Sequence, residues 1–277
     1  MIYLDNAATT ALSPAAIQAM TKTMTVFGNP SSTHSHGREA SKLLRQGRED
    51  IAQALHTQSN KILFTSGGTE SNNTTIKGYA LRHQNRGKHI VTTAIEHHAV
   101  LEVVEYLVDK FGFEATFVQP VDGQIRAEEI KKALRPDTIL VSVMAVNNET
   151  GAMLPIKEIG KLLQEHPAAF HVDAVQAIGK LPIYPDELGI DFLSASAHKF
   201  HGPKGVGFLY AKKMDFDNFM HGGDQEEKHR AGTENLISIT GMAAALSDST
   251  EHLEENLAHA QDLKNSLLAD LSDIDFY

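Results

Sequence analysis

Short β-rich runs alternate with segments of helical periodicity along most of the chain, and this alternation limits the possible folds most strongly. In the helical segments, apolar residues recur at three- and four-residue spacing, as in residues 99–111 ("AVLEVVEYLVDKF"). Such alternation predicts an α/β fold, with a largely parallel sheet covered by helices on both faces. The predicted strands are residues 62–65, 89–95, 115–118, 139–146, 169–173, 191–196 and 206–210, and the other predicted helices are 38–55, 71–83, 127–135, 156–166 and 249–271.

Charge and composition exclude several classes of function. The 277 residues carry 35 acidic and 25 basic side chains, and a net charge of −10 disfavours nucleic acid as a primary ligand. The N-terminus has no basic segment of the signal-peptide kind, and no apolar run approaches the ~20 residues that span a membrane. We therefore expect a cytoplasmic protein. The chain has no cysteine, which excludes disulfides, thiolate metal sites and a cysteine nucleophile within these residues.

Polar segments follow five of the predicted strands. In open α/β sheets the ligand lies beyond the carboxyl ends of the strands, so these segments are the candidate site. We expect them to gather at one edge of the sheet. They read "SGGTES" from Ser66, "EHHAV" from Glu96, "NNETG" from Asn147, Asp173 with "AVQ", and "AHKFHGPKG" from Ala197.

The segment 66–71 places two glycines between a strand and a helix. Glycines there let the backbone approach an anion, and the helix N-terminus supplies unpaired N–H groups, so the pattern is typical of a phosphate site. It is neither a Walker loop nor a dinucleotide-binding motif, because the residues that those motifs require are absent. Taken alone, it is equally consistent with a tight turn capped by Ser and Thr.

Asp173 is open to more than one interpretation, and so are the two consecutive histidines, His97 and His98. Asp173 ends an apolar strand, where a carboxylate could bind a metal, orient a histidine, pair with a protonated ring nitrogen or cap the next helix. Histidine is usually structural unless partners stand at fixed positions. The chain has 15 histidines but no HExxH pattern, so a metal site is disfavoured.

Lys199 discriminates among these interpretations. An unpaired ammonium at the end of a buried strand is costly, so Lys199 is either a surface loop residue or a residue whose amine has a chemical role. Pyridoxal phosphate needs an amine for its aldehyde, an anion site for its phosphate and an acid for its pyridinium nitrogen. Lys199, the segment 66–71 and Asp173 meet these three needs together.

Eight segments of the chain resemble one known family, the cysteine desulfurases of the NifS and IscS type within the class V aminotransferases. The resemblance extends from Tyr3 to about Leu246, and the motifs occur in family order. "HKFHGPKG" with "RAGTEN" resembles the NifS/IscS branch rather than the SufS-like one. The segments are "YLDNAATT", "FGNPSSTHSHGREA", "FTSGGTESNN", "EHHAV", "VNNETG", "HVDAVQAIGKLPI", "SASAHKFHGPKGVG" and "RAGTENL".

The resemblance implies a fold and an activity. The fold would be the aspartate aminotransferase-like fold type I, with a mainly parallel seven-stranded sheet in the large domain. The reaction would convert L-cysteine to L-alanine with pyridoxal phosphate and pass the sulfur to an acceptor for iron–sulfur cluster or thio-cofactor synthesis. The protein would be a homodimer, with iron–sulfur scaffold or sulfur-acceptor proteins as further partners.

The resemblance also implies site residues. Lys199 would form a Schiff base with the cofactor, and His97 would stack on the ring and transfer protons. Asp173 would keep the pyridinium nitrogen protonated, and Gln176 would contact the phenolic oxygen. The other implied residues are Gly68, Thr69, Ser196 and His198 for the phosphate, Asn148 for the substrate and ring, and Thr233 for the phosphate of the partner subunit.

The chain departs from the family in its C-terminal part. The family's nucleophilic cysteine lies on a mobile loop followed by an arginine, and both would fall beyond Tyr277. We expect an N-terminal segment (1–15) that associates with the small domain, a large cofactor-binding domain (16–248) and an incomplete small domain (249–277). A helix-start signal at 247–250 ("SDST") and an apolar strand start at 273–277 ("DIDFY") support this division.

Several alternatives stay open at this stage. The chain is either the N-terminal portion of a desulfurase or a shortened homologue that binds cofactor without desulfurating. A different class V lyase or aminotransferase would show the same cofactor residues. A non-catalytic interaction module that binds pyridoxal phosphate would explain the missing nucleophile. Asp224 stands where the family often has glycine, and it either weakens phosphate binding or points to solvent.

Overall fold

Seven strands form a single sheet in the computed structural model of the protein, which describes residues 2–272. The strand order is β1-β7-β6-β5-β4-β2-β3. Strand β7 is antiparallel to both of its neighbours and the other pairs are parallel, which confirms the mainly parallel seven-stranded sheet. The strands are β1 (Ile62–Thr65), β2 (His89–Thr93), β3 (Glu114–Val118), β4 (Thr138–Met144), β5 (Ala169–Asp173), β6 (Phe192–Ser196) and β7 (Gly207–Ala211).

Helices cover both faces of the sheet and build two apolar cores. Side chains alternate across the sheet, so Leu63 of β1 belongs to one core and its neighbour Phe64 to the other. The core that contains Leu63 lies under α3 and α4, and the other lies under α2, α5, α6 and α8. The helices are α1 (Pro14–Thr23), α2 (Ser35–Ala54), α3 (Gly68–His83), α4 (His98–Phe111), α5 (Ala127–Ala133), α6 (Ile156–Leu163), α7 (Pro185–Leu188), α8 (Leu236–Glu251) and α9 (Leu253–Asp270).

The helix start predicted at residues 247–250 is wrong. Helix α8 begins earlier, at Leu236, and continues through this segment to Glu251. The hydroxyl of Thr250 donates to the carbonyl oxygens of Leu246 and Ser247, so this side chain bonds back to the existing helix and does not start a new one. The chain breaks instead at His252, before α9.

Sequence reasoning also missed α1 and placed the ends of two strands too late. Ser13 caps α1 by accepting the N–H of Ala16 at 3.1 Å, and Pro14 occupies the first helical position. Strand β2 ends at Thr93 and β4 at Met144, two residues before the predicted ends at 95 and 146.

The domain division stays a prediction. Among the described residues, none of α9 is buried, and Leu263, Leu267 and Leu268 are each more than half exposed. The strand start predicted at 273–277 lies outside the described residues.

Asp224 points to solvent, with 80% of its side chain exposed. No helix in residues 2–272 is long and apolar enough to cross a membrane.

A buried histidine links the three central strands. His171 of β5 lies between the hydroxyls of Ser142 on β4 and Ser194 on β6, at 2.8 and 3.0 Å from its two ring nitrogens. The ring is fully buried, and this burial lowers the pKa of His171 to about 3. The imidazole is therefore neutral at physiological pH, with one ring nitrogen donating and the other accepting.

We expect His171 to make the protein less stable in mild acid. Its folded-state pKa lies below the ordinary value of 6.5, so the unfolded chain binds more protons between these two values. Stability from this group is complete above about pH 6.5 and falls by up to about 1.4 kcal/mol per pH unit below it. Urea unfolding at several pH values from 7 to 5 measures this slope.

A His171→Gln variant separates the histidine's effect from those of other groups. Glutamine keeps one donor and one acceptor but does not titrate, so the variant is less stable at pH 7 and loses less stability on acidification. The exposed His259→Gln is the matched control and should keep the wild-type slope. An unchanged slope in His171→Gln would show that His171 does not carry the effect.

Candidate active site

The polar segments that follow β1, β2, β4, β5 and β6 surround one cavity of about 420 Å³. These strands share one direction, so their carboxyl ends meet at the same edge of the sheet. The structure therefore brings together segments that lie as far apart in the sequence as Gly68 and Lys199. The predicted site residues that line the cavity are Gly68, Thr69, His97, Asn148, Asp173, Gln176, Ser196, His198 and Lys199.

Thr233 is the predicted site residue that does not line this cavity. It is exposed and borders a separate cavity of about 210 Å³, together with Ser66 and Arg230. Its role at the phosphate of a partner subunit stays a prediction.

The N-terminus of α3 opens into the cavity through a glycine turn. Gly67 has a φ of +150°, which other residues rarely adopt, and within residues 2–272 no side chain caps the helix at this position. A Cβ on Gly68 would lie 2.5 Å from Cγ2 of Val175, so no other residue fits without displacing that wall of the cavity. The turn therefore presents backbone N–H groups and a helix dipole to an anion.

Asp173 both caps a turn and faces the cavity. Its Oδ1 accepts the N–H of Val175 at 3.0 Å, and its Oδ2 accepts from Nδ2 of Asn72 at 2.7 Å. Burial raises the pKa of Asp173, because a carboxylate loses its hydration there. Sequence reasoning missed Asn72. It lies four residues after Gly68 on α3, so the helical period places the two on one face.

Lys199 ends the short 3₁₀ turn that follows β6. Its Nζ donates to the carbonyl oxygens of Ala7 and Ala8, at 2.5 and 3.0 Å. Burial lowers the pKa of Lys199, although Asp5, Asp173 and Glu149 oppose this shift. A lowered pKa increases the fraction of neutral amine at a given pH, which favours attack on an aldehyde.

The N-terminal segment forms one wall of the cavity, which sequence reasoning did not predict. Besides the two bonds from Lys199, Nε2 of Gln176 donates to the carbonyl oxygen of Ala7 at 2.8 Å. The N–H of Thr10 donates to the carbonyl oxygen of His198 at 2.9 Å, and the hydroxyl of Thr10 accepts the N–H of His201 at 2.8 Å. The segment is thus fastened to the loop that carries Lys199.

His97 caps α4 at the mouth of the cavity. Its Nδ1 accepts the N–H of Ala99 at 3.0 Å, so this nitrogen carries no proton. In the neutral ring the proton is therefore on Nε2, which is the nitrogen available to exchange protons with a ligand.

The buried Glu96 ties this corner of the site to β4. Its Oε1 accepts from the hydroxyl of Thr93 at 2.7 Å and from the N–H of Met144 at 2.9 Å. Burial, with a contribution from the nearby Asp173, raises the pKa of Glu96 to about 8. Sequence reasoning overlooked Glu96, because an acid next to two histidines carries no signal of burial.

A profile of the aminotransferase class-V family matches residues 2–277. The chain belongs to this family. The class-V chain is 47% identical over 274 residues to a cysteine desulfurase IscS from Dictyoglomus turgidum, covering 98% of this chain and 69% of that protein. It is 46% identical over 274 residues to a cysteine desulfurase IscS from Methanosarcina thermophila, covering 98% of this chain and 67% of that protein.

Two solved structures share the fold. A NifS-like protein superposes with a TM-score of 0.94 at 40% identity, over 98% of this chain and 76% of its own. The protein SspA in complex with cysteine superposes with a TM-score of 0.85 at 38% identity, over 89% of this chain and 72% of its own. The resemblance inferred from the motifs is therefore confirmed at the level of family and fold.

A Gly68→Ala substitution should weaken binding of pyridoxal phosphate by about tenfold or more, because the new methyl group collides with Val175 and narrows the turn. Absorbance titration of the cofactor-free protein measures the dissociation constant. Gly47→Ala, in α2 and outside the cavity, is the control and should bind as the wild type does. Equal affinity in Gly68→Ala and wild type would contradict a phosphate site at this turn.

Proposed function

We propose that the chain binds pyridoxal phosphate in this cavity and acts on L-cysteine as a cysteine desulfurase of the NifS/IscS type. One observation carries the proposal: the amine of Lys199, the buried carboxylate of Asp173 and the open N-terminus of α3 all line one cavity. These groups match the aldehyde, the ring nitrogen and the phosphate of the cofactor. The names of the relatives, and the bound cysteine in SspA, support the choice of substrate.

The buried carboxylate of Asp173 and the size of the cavity fit this cofactor. Burial raises the pKa of Asp173, and a protonated ring nitrogen beside it would supply the positive charge that a buried carboxylate requires. A cavity of about 420 Å³ lies within the range of ordinary ligand pockets. When bound, pyridoxal phosphate supplies an electron-withdrawing ring that stabilises negative charge at the substrate α-carbon.

Different residues of the chain would hold the cofactor, transfer protons and orient the substrate. Lys199 would hold the cofactor covalently, and its amine would be free for proton transfer once the substrate amine has displaced it. Nε2 of His97 would take or return a proton at the mouth of the cavity. Asn148 and Gln176 would orient substrate and ring. The groups proposed for the phosphate are Gly68, Thr69, Ser196 and His198, with Thr233 acting on the cofactor of a partner subunit.

A thiol that accepts the sulfur would lie outside these residues, because the 277 residues include no cysteine. We infer a role in supplying sulfur for iron–sulfur cluster or thio-cofactor synthesis, with a scaffold or another sulfur-acceptor protein as partner. A homodimer and a cytoplasmic location are part of the same proposal, and the names of the relatives support only the activity.

Lys199 should be the residue that pyridoxal phosphate modifies. After incubation and borohydride reduction, we expect about one pyridoxyl label per chain at Lys199 by mass spectrometry. The labelling rate should rise with pH to a midpoint below the value of about 10.4 for an ordinary lysine, since burial lowers the pKa of Lys199.

The variant Lys199→Arg should lose this label, whereas the control Lys204→Arg, an exposed lysine five residues further along, should keep it. Label spread over surface lysines, or retained in Lys199→Arg, would count against the proposed site.

The labelled site should prefer L-cysteine among small amino acids. With excess dithiothreitol as an external thiol acceptor, the cofactor-loaded protein should release sulfide and alanine from L-cysteine. At the same substrate concentration, the rate with L-serine or L-alanine should be lower by about tenfold or more. Absorbance changes and product analysis measure these rates. A preference for serine or alanine would instead support a different class V activity.

A further inference from the structure

A carboxylate lies directly behind the turn proposed to hold the phosphate. Glu70 is the third residue of α3, and only 8% of it is exposed. Its Oε2 accepts the N–H of Ser66 at 2.7 Å, which closes the turn from Ser66 to Glu70. The carboxylate thus bonds at the start of the turn, whereas Gly68 and Thr69 line the cavity. Its negative charge, however, would repel a phosphate in front of the turn.

Arg230 pairs with Glu70 and favours its ionised form. Nε of Arg230 donates to Oε1 at 2.9 Å, and Nη2 donates to Oε2 at 3.3 Å. Burial alone would raise the pKa of Glu70, but the hydrogen bonds from Arg230 and Ser66 and the positive charge of Arg230 lower it overall. The side chains of Arg230 and Glu70 are 20% and 7% exposed, so solvent screens this pair only weakly.

Arg230 comes from a segment that is held tightly against β1. The carboxylate of Glu226 accepts two hydrogen bonds from Arg48, at 2.7 and 2.6 Å, and a third from the N–H of Phe64 at 2.9 Å. Residues 226–228 have φ values of 48°, 53° and 74°, a conformation that only strong anchoring sustains in residues other than glycine. The guanidinium of Arg230 is thus positioned before any ligand arrives.

We propose that Arg230 is a positioning residue that neutralises Glu70 behind the Gly67–Gly68 turn and so allows the turn to accept a phosphate dianion. The inference rests on the proposed function, since it concerns the phosphate of the same cofactor. Arg230 does not line the cavity, and its guanidinium is engaged by Glu70, so its effect on the phosphate is indirect. Glu70 in turn is needed to close the turn at Ser66.

If Arg230 acts by neutralising Glu70, its loss affects pyridoxal phosphate and pyridoxal differently, whereas a purely structural role affects both alike. Pyridoxal lacks the phosphate but keeps the ring and the aldehyde. Loss of charge compensation weakens only the binding of pyridoxal phosphate, whereas a distorted site weakens the binding of both. The ratio of the two dissociation constants therefore tests the proposal, and it does not depend on catalytic activity.

The experiment compares variants of the 277-residue chain in the cofactor-free form. For Arg230→Met we expect binding of pyridoxal phosphate to weaken by about tenfold, with binding of pyridoxal changed by less than about twofold. Removing the carboxylate as well, in Glu70→Gln/Arg230→Met, should return the phosphate form to within about threefold of wild type. Glu70→Gln alone should bind the phosphate form at least as tightly as wild type, because the charge of Arg230 is then uncompensated.

Arg82→Met is the matched control. Arg82 lies in the last turn of α3 and pairs with Asp215, with nearly half of each side chain exposed. Its loss removes an arginine–carboxylate pair from the same helix at the end far from the cavity. Both dissociation constants should stay at the wild-type values.

Three results would overturn the proposal: an unchanged affinity in Arg230→Met, an equal loss for both ligands, or no recovery in the double variant. If Arg230→Met does not fold, as judged by thermal unfolding, Arg230→Lys and the double variant decide. Arg230→Lys keeps the charge and should keep the wild-type ratio of the two dissociation constants, and a selective weakening of pyridoxal phosphate binding in this variant would overturn the proposal. Failure of the wild type itself to bind pyridoxal phosphate would instead refute the proposed function.

Discussion

The site depends on the parallel register of β4, β5 and β6. This register pairs Asp173 with Met144 on one side and with Ser194 on the other, so the last residue of β5 lies in the middle of the sheet edge. His171 supports the same alignment from two residues earlier, by bonding to hydroxyls on both neighbouring strands. Because a shift of one residue would turn Asp173 to the opposite face, the apolar cores on both faces also fix the chemistry at the edge.

Three buried acids around the cavity differ in their partners and in the direction of their pKa shifts. Glu70 is paired with Arg230 and its pKa is lowered despite burial. Glu96 has no cationic partner among the described residues, and burial raises its pKa to about 8, so it is mostly neutral at pH 7. Asp173 lies between these cases, with a pKa raised by burial and hydrogen bonds that favour the charged form. Of the three, only Asp173 lines the cavity, where a cationic ligand would complete its environment.

The segments that sequence reasoning located correctly are those with a local signal. The strands have apolar runs, and the glycine turn, Asp173 and Lys199 stand at strand ends, so topology alone brings them together. The missed groups act through distant partners. Arg230 is 160 positions from Glu70, and the wall formed by Ala7 and Ala8 meets Lys199 across more than 190. The prediction of a helix start at 247–250 was wrong for a related reason. Ser and Thr side chains can bond to the backbone of an existing helix as well as to that of a new one.

The sequence by itself determined the α/β fold, the family and the residue types that pyridoxal phosphate requires. Periodicity and strand-end motifs are local properties, which a single chain displays without any packing. Only the tertiary structure decided the charge state and orientation of these groups. Burial raises the pKa of Asp173 and lowers that of Lys199, while Asn72 and the N-terminal segment fix where their polar atoms point. Desolvation and hydrogen bonding depend on neighbours in space, and a linear sequence does not specify those until the sheet has formed.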